Sequence, residues 1–442
     1  MNTSALFLDF ASARRVRKGQ NPVRVGIIGM GGFAGFHHQE FLTLEKEGAC
    51  RVVCACDPYP DAFAQQQIDW DFAGRGVRVF SDYRTMLDAC RDELDIVTVP
   101  TPVPLHAPMH RAVVERGLAC YLEKPPTLNY AEMEEMLAVE AQAQKSTQVG
   151  FNFIIEPRRQ ALKRRILSGE FGGVRRIGFY AWWPRPTSYF TRAAWAGRLI
   201  MDGKLVLDSC IGNALAHFIH NLHFWAGQEK LYAWEPIASV RAELYRAHAI
   251  EGMDTVFAQG KFANGIELQL AATHACAGDH KQWERVECEK ATLIYDTRTG
   301  YRIEWLDGRR EEVAIPWEDL VLQNMRHYLR YVRGEADRPI TRLADALPFV
   351  QFSDLVYVAA QTITTVPAPP VVRAPAPNDA GETVSIGDES LYATFFATGR
   401  FPSQQGLEWA RPGGEATLED LPQLRNTVER MAAERRAEEA GG

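Results

Sequence analysis

VRVGIIGMGGFAGFHH, from Val23 to His38, is the stretch on which the reading of the fold turns. A β-branched run leads into Gly29, Gly31 and Ala34, spaced as GxGxxA, and a helical pattern starts at once. Gly29 permits a tight turn, Gly31 lets backbone approach a pyrophosphate, and Ala34 allows close packing of helix on strand. Across Gly31, Gly32 and Phe33 the helix start offers backbone amides and the positive end of its dipole, which suits phosphate. Asp57 closes the next strand pattern, RVVCACD, 23 residues after Ala34. An acid there accepts hydrogen bonds from ribose hydroxyls. Its charge repels a 2′-phosphate, so NAD is expected and NADP is disfavoured.

Outward from this turn, short β-branched runs alternate with helical patterns as far as Gln148. That alternation predicts an α/β fold, an N-terminal Rossmann domain with a doubly wound parallel sheet. Beyond Phe151 the texture changes. VFAQGKFA and GIELQLAATHA flank Asn264 and Gly265, and ATLIYD follows. This pattern predicts a C-terminal α+β domain with a large, mostly antiparallel open sheet. Helices are expected over 320–333 and 343–362. The expected organisation is an arm over 1–22, the nucleotide domain over 23–148, a substrate domain over 149–365 whose last helices pack back on the first, and a Pro-rich linker with a C-terminal extension over 366–442. VPAPPVVRAPAP opens the last of these.

The chain has 442 residues and a formal net charge of −7, which gives no general attraction to nucleic acid or anionic membrane. No apolar run is read as reaching the roughly 18 to 20 residues of a membrane span. Eight cysteines, with Cys54 and Cys56 alternating inside a strand pattern, read as reduced core residues of a cytoplasmic protein. A lone CxC lacks the spacing of a metal site, so no metal is expected.

Lys124 lies in YLEKPPT, after a strand and before Pro125 and Pro126. It leaves the sheet at the carboxyl edge, where open α/β folds bind ligands. With Glu123 beside it, this amine can hold a substrate hydroxyl or take its proton. Here the chain resembles the Gfo/Idh/MocA oxidoreductase family. The resemblance rests on the glycine turn with His37, on VTVPTPVPLH with Thr101, Pro102 and His106, on Glu123-Lys124-Pro125, and on the restart GFNFIIEPRR with Asn152. It spans 23–362. It implies that His37, Thr101, Pro102, His106, Glu123 and Lys124 border the cofactor, that Lys124 contacts the reacting hydroxyl, and that Asn152 faces substrate. It also implies subunit contacts, as a homodimer or homotetramer, through the second-domain sheet. Val103 stands where the family commonly has Asn.

The family's DxGxH motif registers on LDSCIGNALAHFIHNLHFWAG, from Leu207 to Gly227, with His217 as its histidine. Asn213 then replaces the usual Asp, and Asp208 lies five residues earlier. If all lie on one helix, Asn213 and His217 share a face. An amide cannot take a proton, so the acid/base work falls to His217 and Lys124, with Asp208 a helper and Asn213 an orienting group. His220 and His223 read as ordinary helix residues. YAWWPRPTSYFTRAAWAGR, from Tyr180 to Arg198, joins aromatic faces that stack on sugars to Arg donors, which makes Arg185, Tyr189, Arg192 and Trp195 candidate substrate contacts. Core packing with a subunit contact is the competing reading. The basic run from Arg158 to Arg176 reads as a solvated helix face, and His274 and His280 flank a strand end.

The sequence therefore predicts an NAD-dependent dehydrogenase for a secondary alcohol of a sugar, cyclitol or glycoside. Two other readings stay open: a glycoside hydrolase or lyase that retains NAD for transient oxidation, and a non-catalytic NAD-binding sensor or scaffold.

Overall fold

The computed structural model describes residues 21–374 and 381–441, so most of the arm expected over 1–22 lies outside the described residues. Six parallel strands form the first sheet: β1 (Val23–Ile28), β2 (Cys50–Cys56), β3 (Arg78–Phe80), β4 (Ile96–Val99), β5 (Ala119–Leu122) and β6 (Gln148–Val149), in the order β3-β2-β1-β4-β5-β6. The order reverses direction between β1 and β4, and a ligand crevice lies outside the carboxyl ends of strands at such a switch point. Helices α1 (Ala34–Lys46), α2 (Ala64–Asp69), α3 (Phe72–Arg75), α4 (Tyr83–Cys90), α5 (His106–Val114) and α6 (Tyr130–Glu140) connect and cover these strands. β4 and β5 are buried along their whole length, as expected for strands covered on both faces.

The second lobe begins with α7 (Pro157–Leu167) and β7 (Val174–Trp182), followed by a small hairpin, β8 (Ile200–Met201) and β9 (Lys204–Leu205), and by α8 (Ala216–Ala226). Strands β10 (Ile237–Arg246), β11 (Thr255–Phe262), β12 (Glu267–Thr273), β13 (Lys281–Cys288), β14 (Ala291–Asp296), β15 (Gly300–Trp305) and β16 (Arg310–Ala314) complete most of a large sheet. It is antiparallel except where β7 runs parallel to β12 and β17 (Ile363–Thr365) runs parallel to β10. Asn264 and Gly265 make the expected hairpin between β11 and β12. Helices α9 (Leu320–Val332) and α10 (Leu343–Ala360) close the lobe.

These two helices also join the lobes. Asn324 on α9 donates to the Tyr121 hydroxyl at 3.1 Å, and the Tyr130 amide donates to Asp354 on α10 at 2.7 Å. α10 is long and apolar enough to cross a membrane, which the sequence reading missed, but 83% of it is buried inside the protein. It is a core helix here, packed between the sheet and α6.

The basic run on α7 is solvated only in part: Arg164 is exposed and Arg158 and Arg165 are half-buried, but two members turn inward. Arg159 and Lys163 are fully buried. Arg159 makes a bidentate pair with Glu284 on β13, at 2.6 and 3.1 Å, and its guanidinium lies 4.1 Å from the Tyr295 ring centroid. Glu284 also accepts from Asn221 at 2.9 Å and from the Trp225 indole. Lys163 donates to the carbonyls of Phe224, Trp225 and Gly227, so an ammonium caps the C-terminal end of α8. Two buried cations thus fix α8 against α7 and the sheet.

The C-terminal segment folds back. β18 (Val371–Ala374) and β19 (Gly381–Val384) pair as a hairpin, so the Pro-rich stretch is only partly a linker. α11 (Glu389–Thr398) lies on the outer face of the large sheet, where Tyr392, Phe395 and Phe396 pack against Tyr180, Trp182, Phe257 and Trp283. β20 (Glu415–Thr417) pairs with Ser239–Arg241 on the β10 edge, and α12 (Leu424–Gly441) follows. The sequence reading placed a subunit contact on this sheet. A second copy reaches these aromatic side chains only by displacing α11.

Two predictions follow from this packing. Arg159→Met leaves Glu284 buried without its cation and should destabilise the second lobe by about 3 to 5 kcal/mol, read as a lower urea midpoint; an unchanged midpoint would contradict the buried pair. Burial also pushes His223 from 6.5 down to about 4 and His220 well below 6.5. The unfolded chain takes these protons near 6.5 and the folded chain resists them, so stability should be full above 6.5 and fall as pH drops toward 4. Urea midpoints at several pH values and fixed salt measure that slope.

Candidate functional site

The glycine turn forms as its residue types require. Gly29 has φ of +114°, its amide donates to the Cys56 carbonyl at 2.6 Å, and a Cβ on it would meet the Ala34 Cβ at 3.2 Å. A Cβ on Gly31 would come within 2.8 Å of the Phe63 ring. Gly32 is also left-handed, and Phe33, 44% exposed, precedes Ala34 at the helix start. No side chain caps α1 and no acid stands in its first turn, so the positive helix end is open to an anion. Asp57 accepts from the amides of Met30 at 3.1 Å and Tyr59 at 3.0 Å. The carboxylate ties the ends of β1 and β2 together and keeps lone pairs for a further donor. The residues present fit a dinucleotide.

Behind this turn is a layer that holds it. His37 is fully buried, with Nε2 3.0 Å from Glu123 Oε1 and Nδ1 3.3 Å from the Thr98 hydroxyl. His37 and Glu123 therefore lie inside, between α1 and the ends of β4 and β5, where they brace the cofactor cleft without lining it. His106 is buried too, and its ring bridges the carbonyls of Thr101 at 2.7 Å and Pro125 at 2.8 Å. It ties the loop after β4, which carries Thr101 and exposed Pro102, to the loop after β5, which carries Lys124.

Lys124 crosses to the second lobe. Its Nζ donates to the backbone carbonyl of Asn213 at 3.2 Å, and its own amide donates to Glu123 Oε2 at 3.1 Å. Burial pushes the ammonium below its ordinary 10.5; Arg185 and Arg192 push the same way, and Glu123 and Asp208 oppose them. The Asn213 side chain donates to Asp208 Oδ1 at 3.2 Å, while Asp208 Oδ2 accepts the Gly197 amide at 2.7 Å and lies 3.8 Å from Arg192. Burial raises the Asp208 carboxyl against those partners and Lys124.

One expectation is corrected. α8 begins at Ala216, so Asn213 is not on the helix with His217 but in the turn before it. There its carbonyl accepts both the Ala216 amide at 3.3 Å and the Lys124 amine, and the polar groups converge through the turn. His217 stacks on Phe153, centroids 4.4 Å apart, with Nδ1 buried and unbonded. Burial, then the charges of Lys124, His220 and Arg159, hold it well below 6.5, hence neutral near pH 7. Asn152 is half-buried at the start of the second lobe, and its Oδ1 is buried without a partner. His220 is core: it stacks on Phe151 at 4.0 Å and on Trp234.

The aromatic loop is shorter than its sequence suggested, since Tyr180 and Trp182 belong to β7 and pack under α11. From Trp183 onward it stacks cations on rings. Arg185 lies 4.6 Å and Arg192 3.8 Å from the Tyr189 centroid, and Arg192 lies 4.8 Å from Trp195. Both guanidiniums lie close enough to the lysine to disfavour its charge. His274 Nδ1 donates to the Trp183 carbonyl, 2.9 Å away, and His280 stacks on Trp183 at 4.0 Å, so both border this loop. Phe190, in the middle of this loop, is buried and packs as core, a role the sequence does not single out.

Comparison with known proteins agrees with this fold. Residues 23–151 match the family model described as the oxidoreductase family, NAD-binding Rossmann fold, and residues 159–294 match the Gfo/Idh/MocA C-terminal domain. The inositol 2-dehydrogenase of Rhodococcus jostii is 32% identical over 35% of this chain and 41% of its own. A glycosyl hydrolase family 109 protein of Shewanella amazonensis is 29% identical over 34% of each chain. The chain thus spans less than half the length of these curated relatives. In fold it is similar to the WlbA dehydrogenase from Bordetella pertussis, solved with NADH and UDP-GlcNAcA, with a TM-score of 0.61, 21% identity, and coverage of 75% of this chain and 94% of that one. Strand order, glycine turn and both domain matches lead to one assignment: this chain belongs to the Gfo/Idh/MocA oxidoreductase family.

Proposed function

We propose that the protein is an NAD-dependent dehydrogenase acting on a secondary alcohol of a sugar, cyclitol or glycoside. The observation that carries this reading is the meeting of Lys124, from the carboxyl edge of the nucleotide-binding sheet, with the Asn213–His217 segment of the other lobe. NAD, when bound, supplies the hydride acceptor. The chain's own task is to position the alcohol and manage its proton. Gly29, Gly31, Gly32, Phe33 and Ala34 hold the phosphates, with Thr101 and Pro102 on the neighbouring loop. Asp57 takes the ribose hydroxyls and disfavours a 2′-phosphate, which selects NAD over NADP.

Lys124 Nζ and His217 hold the reacting hydroxyl. A neutral imidazole in a site that depresses its proton affinity accepts the proton only as the alkoxide forms, and the lysine stabilises that oxygen. Asp208, held by Asn213 and the Gly197 amide, fixes the turn that presents the Asn213 carbonyl to the lysine. Arg185, Tyr189, Arg192, Trp195 and Asn152 form the wall that recognises the remaining hydroxyls or a carboxylate.

The similarity to a glycosyl hydrolase family 109 protein favours a second reading, in which NAD is retained and the oxidised sugar eliminates a neighbouring group. Stoichiometry separates the two. Incubation with NAD and a panel of sugars, cyclitols and glycosides should give NADH in proportion to oxidised product; glycoside cleavage without net NADH would establish elimination. Binding of NAD with no turnover of any kind across the panel would overturn both in favour of a sensor.

Gly31→Val should weaken NADH about 100-fold or more, some 3 kcal/mol, in a fluorescence titration, with circular dichroism unchanged. Lys124→Arg keeps a charge that no accessible pH removes and should lower kcat by about 100- to 10,000-fold. In the wild type, the oxidation rate should fall as pH drops through the depressed proton affinity of the site, because the base form is lost. A rate that is flat with pH and equal in Lys124→Arg would remove the lysine from the reaction.

A further inference from the structure

Three buried side chains join the C-terminal extension to the turn beside the aromatic loop. Thr383 on β19 places its hydroxyl oxygen 3.1 Å from His248 Nε2, and His248 Nδ1 lies 2.8 Å from Asp254 Oδ2. The same carboxylate oxygen accepts the amides of Ala247 at 2.9 Å and His248 at 2.8 Å, and Oδ1 accepts the Thr255 hydroxyl at 3.1 Å. Thr383 and Asp254 have no exposed surface and His248 is 4% exposed. Hydroxyl, imidazole and carboxylate in this order form an activated nucleophile when substrate can reach them. None can reach this hydroxyl, so the arrangement holds parts of the fold together.

What it holds is the aromatic loop. The His248 ring packs on Phe190, centroids 4.5 Å apart, and Phe190 follows Tyr189, the ring on which Arg185 and Arg192 stack. Pro186 sits 3.1 Å from where a Cβ on Gly381 would be, so β19 runs directly against the start of the loop. Beyond β19 the Ile386 amide donates to the Ala275 carbonyl at 3.0 Å, next to His274, whose carbonyl accepts the Arg185 amide at 3.1 Å. At the far end the Gly197 carbonyl accepts the amides of Glu251 and Gly252 at 3.0 and 2.9 Å. The loop is thus tied near both ends to the strands and turns around Asp254, and its middle is backed by the imidazole that Thr383 engages.

We propose that Thr383, acting through His248, is a positioning residue for Arg185 and Arg192, and that the C-terminal extension thereby sets the shape of the substrate wall. The inference rests on the reading of that loop as the wall. The hydrogen bond is directional and dry, so its loss leaves a buried imidazole nitrogen unmatched and frees the ring on which Phe190 rests.

Hydrogen–deuterium exchange on the full chain tests this without any substrate, so its outcome stands apart from whether the panel turns over. Thr383→Val keeps the volume and removes the hydroxyl, and amides of 185–199 should exchange about ten-fold faster. Thr383→Ser should restore them, and NADH affinity should stay within about two-fold in both variants because the glycine turn belongs to the other lobe. Loop exchange equal to wild type in Thr383→Val, or faster exchange spread evenly over the second lobe, would overturn the proposal. Should Thr383→Val not fold, His248→Asn reads the bond from its other side, and unchanged loop exchange there would overturn it equally.

Discussion

One hydrogen bond organises this molecule: the Lys124 amine reaching 3.2 Å across the cleft to the Asn213 carbonyl. The first lobe brings the lysine to the carboxyl edge of β5, beside the turn suited to a pyrophosphate. The second lobe brings a turn whose carbonyl, rather than its side chain, meets the amine. Burial and two guanidiniums make a charged ammonium costly there, and the walls that carry the contact are each held by groups packed behind them.

The rigidity comes from buried ionic and polar groups away from the cleft. His37 with Glu123, and His106 between two carbonyls, brace the loops that end β4 and β5. In the other lobe the Arg159–Glu284 pair and the capping ammonium of Lys163 set α8, and with it His217. Buried pairs of this kind add little net stability over apolar packing. Their directionality fixes orientation, which the proposed chemistry requires to a fraction of an ångström.

The parts legible in the sequence are those whose signals are local. The glycine turn, Asp57 at the end of β2, the Asn264-Gly265 hairpin and the α9 and α10 patterns each depend on a few adjacent residues. The parts that were not legible depend on distant partners. Charges spaced along α7 read as a wet face because Glu284 lies more than a hundred residues away. The spacing of Asn213 to His217 fits a helix, whereas the chain spends those residues on a turn. The weakly patterned extension becomes ordered because β20 satisfies an open edge of β10 and α11 covers aromatic side chains of the outer sheet face. Neither need is visible from the extension alone.

The placing of Lys124 in a cleft shared by both lobes is tested most directly by competitive amine labelling of the full chain, with Lys124 and exposed lysines such as Lys46 and Lys230 followed by mass spectrometry as pH is raised. Lys124 should become reactive at lower pH than the exposed lysines, and NADH should suppress its labelling while leaving theirs unchanged. A Lys124 that titrates with the exposed lysines and ignores NADH would contradict a shared cleft between the glycine turn and the second lobe.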